Sequence, residues 1–307
     1  MRVGISYNIQ GNSSAAASWE AILADVELAD TLGYESFWVG ESRENKNACS
    51  SPALFLTTAA RRTRNIQLRI AGRTVVVPSP IRLAEEVAVL DLFSRGRAGV
   101  SFASAGRQST VPGHVHEAIE FVRSAWSADE MRYRGEHIRF PTHTTDEAPR
   151  GTSYPQWQGS YTPQWEWGPA MPDYLAITPK PYATQPPTYV DISEDATLEW
   201  AASHGVSPFI AADMSTVRAV ERMQQYRALA DAAGRSRYEV EAVLERRMGI
   251  GAKADDCMLG GTPDELICTL REIAINASIA HFVWRRNGPE DGDLAQFAVE
   301  VHPMLQA

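Results

Sequence analysis

The chain has 307 residues, 44% apolar and 22% charged, an ordinary globular composition long enough for two domains or one large α/β barrel. A net charge of −9 with no basic stripe argues against nucleic acid as a partner, and no apolar run approaches the roughly 18 residues of a membrane span. Cys49, Cys257 and Cys268 are odd in number and scattered, which speaks against a disulfide framework or a zinc site and fits a reducing cytoplasm.

The opening MRVGISYNI reads as a strand, Val3–Tyr7, rather than a signal peptide. A helix is expected over Trp19–Leu32, with Ser18 as N-cap and Gly33 past its end. Ser36–Val39 is the second strand, before a helix over Pro52–Arg62. The segment Leu68–Gly106 is the most structured to the eye. An apolar strand, Ile66–Ala71, is followed by Ser79 as N-cap and Pro80 at the first helical position, where its missing N–H costs nothing. Leu83, Val87 and Leu90 recur at helical spacing, Ser94-Arg95-Gly96 ends the helix, and Ala98–Ser104 is the fourth strand. A helix over His114–Trp126 follows. Beyond the irregular stretch, Thr188–Ile192 is the fifth strand, and Ser193 caps a helix to His204 with Gly205 after it. Val206–Ala211 precedes a helix over Ser215–Ala233, and Val240–Arg246 is the seventh strand. Thr262-Pro263-Asp264-Glu265 is a capping box, Ile279–Trp284 the eighth strand and Asp291–Leu305 the last helix.

Eight strand–helix alternations predict an α/β (β/α)8 TIM barrel, a single domain over 1–307, with a Trp/Pro-rich insertion of about 127–187 between strands 4 and 5. No GxGxxG follows the first strand, which removes the main sign of a dinucleotide-binding sheet. The insertion carries Trp157, Trp165 and Trp167 among prolines, and its aromatics need a place to be buried. It reads either as a lid stacking on a ligand or as a loop packed on the outer wall or in a subunit contact.

In a barrel, chemistry sits at the C-terminal ends of the strands. That rule selects Tyr7–Gln10, Glu41–Arg43, Gly72–Thr74, Ser104–Gln108, Asp191–Asp195, Ala211–Asp213 and Trp284–Arg286. His114 and His116, expected in the loop after the fourth strand, are the candidate acid/base pair, against the plainer reading as surface histidines. No histidine spacing supports a metal site.

Three segments carry a resemblance. IRLAEEVAVLDLFSRGRAGVSFAS, TLEWAASHGV at Thr197–Val206 and GGTPDELICTLREI at Gly260–Ile273, with LGYESFWVGES near the front, resemble the bacterial luciferase-like flavin monooxygenases. The first is most similar to the natural-product branch. The resemblance implies a TIM barrel that binds reduced FMN supplied by a separate flavin reductase, and that oxygenates a small organic or carrier-protein-bound intermediate through a flavin hydroperoxide. It implies a homodimer through Ile81–Leu92, a stripe that equally suits packing on the barrel. It places a non-proline cis peptide at Arg73–Thr74 against the flavin ring. Ser104, Ala105 and Ser193 fall in its anion pocket, where Arg107 could supply the cation. Tyr7, Gly72, Arg73, Thr74, Ser104, Ala105, Arg107, Ser193 and Glu194 are thus the candidate cofactor-binding residues. The acidic Glu194-Asp195 would repel a phosphate unless turned away. Ser42 stands where the family has a catalytic histidine, and a hydroxyl cannot shuttle protons as imidazole does. Arg43 is a candidate anchor for an anionic substrate or the flavin, or else pairs with Glu41 or Glu44. Two alternatives stay open: an F420-dependent oxidoreductase on the same barrel, and a non-catalytic flavin-binding or partner subunit.

Overall fold

The computed structural model describes residues 1–7, 15–41, 49–73, 79–108, 110–140, 177–236, 240–287 and 293–306. The chain runs β1 (Arg2–Tyr7), α1 (Ala15–Thr31), β2 (Ser36–Gly40), α2 (Pro52–Arg62), β3 (Gln67–Arg73), α3 (Pro80–Ser94) and β4 (Ala98–Phe102). After β4 come a short α4 (Ala105–Gln108), α5 (Pro112–Ser127) and a hairpin of β5 (Tyr133–Arg134) and β6 (Arg139–Phe140). The second half runs β7 (Thr188–Asp191), α6 (Asp195–His204), β8 (Ser207–Ile210), α7 (Thr216–Ala232), β9 (Val243–Ile250), β10 (Met258–Gly261), α8 (Pro263–Ala277), β11 (His281–Arg286), α9 (Leu294–Glu300) and α10 (His302–Gln306).

Eight of these strands, in the order β9-β11-β1-β2-β3-β4-β7-β8, are all parallel, and β8 returns to β9 through Phe209↔Val243 and Ile210↔Leu244. That pairing closes the sheet into the expected (β/α)8 barrel, leaving no edge strand. β10 only extends the far end of β9. Strand alternation divides the apolar residues into two sets. Val3, Ile5, Tyr7, Leu68, Ile70, Val100, Val190, Leu244 and Phe282 face the helices in the main core. Trp38, Ala71, Tyr189, Phe209, Val243 and Val283 form a separate cluster in the bore.

The helix boundaries follow local chemistry. Proline occupies the first turn of α2, α3, α5 and α8, and the Thr262–Glu265 capping box forms in full. α3 ends on Arg95 in the left-handed region, and α6 on Gly205. Several boundaries differ from the sequence reading. Ser18 lies inside α1 rather than at its cap, because the preceding Ala15-Ala16-Ala17 run, of high helix propensity, continues the helix upstream. Glu194, not Ser193, is the N-cap residue of α6. The Ser193 N–H instead donates to Asp191 Oδ1 at 2.8 Å, a turn that delays the helix by one residue. β4 stops at Phe102, and β9 starts at Val243 and runs on to Ile250 because β10 pairs with it. The last helix begins after Asp293, whose carboxylate accepts from the Ala295 and Gln296 N–H groups, and it breaks at Val301.

The connection from β4 to β7 holds the insertion. Glu117 of α5 anchors its start, accepting the Glu136, His137 and Ile138 N–H groups at 2.7, 3.0 and 2.9 Å. Trp157, Trp165 and Trp167 lie outside the described residues.

Candidate active site at the barrel mouth

The bore is layered from bottom to mouth. At the bottom, Trp38 Nε1–H donates to Ser36 Oγ at 2.8 Å, and Ser36 Oγ meets His281 Nε2 at 2.8 Å. His281 Nδ1 lies 2.8 Å from Glu241 Oε1, and the Tyr189 hydroxyl donates to Glu241 Oε2 at 2.5 Å. Arg2 closes this network with a 2.6 Å ion pair to Glu241. Burial alone would raise the Glu241 carboxyl, but the hydrogen bonds from His281 and Tyr189 and the nearby charges hold it down to about 2. Ser36 and His281 are buried here, so this Ser–His–Glu arrangement is a polar plug and not a nucleophile. Above it Trp38 packs on Tyr189 and Phe209, with ring centroids 5.2 and 5.3 Å apart.

The layer nearest the mouth is polar again. Ser6 of β1 donates its hydroxyl to Glu245 Oε1 at 2.6 Å, and the Ala212 N–H donates to Glu245 Oε2 at 3.1 Å. Arg285 of β11 pairs in register with Ser6, and its Nη1 lies 3.7 Å from Glu245 Oε2. Glu245 is 7% exposed as a residue, whereas the Arg285 side chain is 30% exposed. Ser101 shares the inward face of β4, and its buried hydroxyl has no hydrogen-bond partner among the described residues. Sequence reasoning named the Trp284–Arg286 segment without weighing Arg285, and it missed Ser6 and Glu245. Strand alternation, applied to β1, β9 and β11 together, is the signal that finds them.

The sequence-predicted residues fall in different places. Gly72 adopts φ +59°, and a Cβ there would meet nothing within 4 Å, so space is open beyond β3. The register of β3 on β4 shifts between Ile70 and Arg73, as such a bulge requires. This turns Arg73 out of the bore into a buried ion-pair cluster, 3.2 Å from Glu41 and 3.0 Å from Glu86. Tyr7 also faces outward. Its hydroxyl donates to Asp25, and the Arg286 guanidinium lies 5.5 Å from its ring centroid. His114 and His116 belong to α5, not to a loop. His116 stacks on Trp200 of α6 at 4.3 Å, and burial with the neighbouring His204 pushes it down to about 4. His114 lies 3.2 Å from Thr110 Oγ1 and is also lowered, chiefly by burial. Ser42, Arg43 and Thr74 lie outside the described residues, as does the Arg107 side chain. The buried Cys49 thiol is pushed up to about 11, chiefly by burial, which leaves it unreactive.

Ser104 and Ala105 are buried at the end of β4 and lead into α4. The Gly106 N–H donates to the Glu194 carboxylate across this corner, and a Cβ on Gly106 would meet that carboxylate at 2.5 Å. Asp195 pairs with Arg222, which also donates to the Ile192 carbonyl at 3.0 and 2.8 Å. The structure therefore brings the Ser104–Gly106 and Ser193–Glu194 segments to one corner, where Glu194 takes the Gly106 N–H and Asp191 takes the Ser193 N–H. Gly72 and Ser101 leave open space and a spare hydroxyl on the β3–β4 side, which fits a planar flavin ring. A flavin phosphate in the Gly106–Ser193 corner has to displace Glu194. No group of three histidine, cysteine, aspartate or glutamate residues that could hold a metal occurs among the described residues. No described helix is long and apolar enough to cross a membrane.

A barrel with its open layer at the strand C-termini is the frame of many enzymes. Residues 1–259 match the model of one family, the luciferase-like monooxygenases, and the chain belongs to it. Among relatives, the chain is 24% identical over 225 residues to the uncharacterized protein y4wF of Sinorhizobium fredii, covering 69% of this chain and 56% of that one. It is 30% identical over 138 residues to the oxygenase component of the flavin-dependent trigonelline monooxygenase of Acinetobacter baylyi, covering 40% and 38%. The match thus spans about half or less of these relatives. Among solved structures, the monooxygenase RslO1 from Streptomyces bottropensis superposes with TM-score 0.76 at 20% identity, covering 99% of both chains. The oxygenating constituent of 3,6-diketocamphane monooxygenase from Pseudomonas putida, in complex with FMN, gives 0.70 at 13%, covering 99% and 96%. An F420-dependent secondary alcohol dehydrogenase gives 0.70 at 12%, covering 100% of both.

Proposed function

We propose that this chain is the oxygenase of a two-component, reduced-FMN-dependent monooxygenase acting on a small organic or carrier-bound natural-product intermediate. The observation that carries the reading is the family match over residues 1–259, set on a barrel with open space at Gly72 and a polar layer at the mouth. The FMN-bound neighbour supports FMN as the flavin. Reduced FMN, when bound, supplies the electrons that split dioxygen between substrate and water. The protein's part is to position and to exclude water. The aromatic layer of Trp38, Tyr189 and Phe209 seals the bore beneath the mouth. Gly72 and Ser101 face the side on which the ring would lie, Ser104 and Ala105 lead to the corner proposed for its phosphate, and the insertion with Trp157, Trp165 and Trp167 is the proposed cover. A separate flavin reductase is the proposed partner. A homodimer through Ile81–Leu92 is supported by Leu92 and the adjoining Phe93, 42% and 52% exposed on α3.

A second reading, F420-dependent hydride transfer, is supported by the F420-dependent fold neighbour. The Glu41-Ser42-Arg43 segment, without a histidine, favours a non-catalytic flavin-binding subunit. Turnover with a flavin reductase, NADH, FMN and isotope-labelled dioxygen separates them. The monooxygenase reading predicts one labelled oxygen atom in the product. Anaerobic turnover with reduced F420 favours the second reading, and no turnover with either favours the third.

A further inference from the structure

We infer that Arg285 is the receptor for an organic carboxylate, so that the substrate of this barrel carries a carboxylate group. The inference rests on the reading above only in taking the barrel mouth as the substrate site. Three observations carry it. First, inward-facing His281 and Val283 precede Arg285 at two-residue spacing, so Arg285 continues the inward face of β11 at the C-terminal end. Second, its side chain is 30% exposed, and its one ionic contact among the described residues is Glu245 at 3.7 Å, longer than a hydrogen bond. Among the described residues the five guanidinium donors are thus uncommitted, in a fork that matches a carboxylate.

Third, Glu245 is fixed independently of Arg285. Its two oxygens are held by the Ser6 hydroxyl at 2.6 Å and the Ala212 N–H at 3.1 Å. Glu245 therefore balances the charge of Arg285 without consuming its donors. An incoming carboxylate gains paired N–H···O bonds, whereas a neutral amide of the same shape cannot form the ion pair. Sites built around hydrogen-bonding groups of this kind discriminate strongly against analogues that lack the partner. Val283, Phe209 and Ala211 line the same bore, so the acid is expected to have an apolar body.

The test is calorimetric titration of the full chain, with and without anaerobically reduced FMN. Benzoate, nicotinate and decanoate serve as probes, each against its neutral amide. At least one acid should bind, with its amide about tenfold or more weaker. Arg285→Gln should weaken the acid by about tenfold or more while leaving the amide and reduced FMN unchanged. Arg285→Lys, which keeps the charge but loses the fork, should fall between. Equal binding of acids and amides overturns the assignment, as does unchanged acid binding in Arg285→Gln. Loss of reduced FMN in that variant overturns it too, and so does failure of every acid to bind. Arg285-dependent acid binding by a protein that takes no reduced FMN overturns the cofactor reading and leaves the receptor standing. Should Arg285→Gln fail to fold, the acid–amide comparison on the unaltered protein and Arg285→Lys decide.

Discussion

Arg73 shows how one residue's role depends on the face it reaches. Its guanidinium and the Glu41 carboxylate are 4% and 3% exposed, so neither charge has water to fall back on. Arg73→Met should destabilise the fold by about 3 kcal/mol in denaturant unfolding, because it leaves Glu41 buried without its cation. Adding Glu41→Gln should recover part of that loss, and a double-mutant cycle measures how much. Glu194 makes a different kind of statement. Its carboxylate holds the Gly106 N–H that a flavin phosphate would need. Glu194→Gln should therefore tighten binding of reduced FMN by about tenfold while leaving reduced riboflavin unchanged. An equal effect on both flavins in anaerobic titration would show that Glu194 acts on something other than the phosphate.

At the scale of elements, α5 and α6 are joined by the His116–Trp200 stack, and the stack makes stability depend on pH. The folded protein holds His116 at about 4, against 6.5 for a free imidazole. The unfolded chain thus binds the extra proton between those values, and stability is fully present above pH 6.5 and lost as pH falls toward 4. His116→Phe should flatten this part of the stability–pH curve, read by thermal unfolding across that range. The α8 capping box predicts a smaller effect. Thr262→Ala should cost about 1 kcal/mol, with Ser restoring most of it. These elements also show what the sequence can carry. Pro263 with Glu265, Pro80 with Gly96, and the apolar strands made all eight barrel strands and their order legible, because such signals are local. Gly72 was legible as the end of β3 but not as part of a bulge, so the outward turn of Arg73 was invisible. The Asp191–Ser193 turn that moves the α6 cap is local but rests on a side-chain acceptor that helix spacing does not reveal, whereas the His116–Trp200 stack joins residues 84 positions apart. Ser6, Glu245 and Arg285 are 239 and 40 residues apart in succession. Only the lateral pairing of β9, β11 and β1 brings them together.

At the scale of the whole molecule, a polar plug at the bottom, an aromatic layer and a charged mouth make the bore a one-ended vessel. That is the form needed to hold a flavin and a substrate away from bulk water. Exposed Leu92 and Phe93 on α3 belong to the same level of description. If the α3 face joins two copies, Phe93→Glu should shift sedimentation from dimer to monomer, and a monomer before substitution would remove that assembly. The proposed function stands on this mouth taking reduced FMN. Anaerobic equilibrium titration of the full chain with reduced FMN and with reduced F420 measures that step by itself. Saturable binding of reduced FMN with a clear preference over F420 is expected. Preference for F420, or binding of neither, would overturn the proposed function.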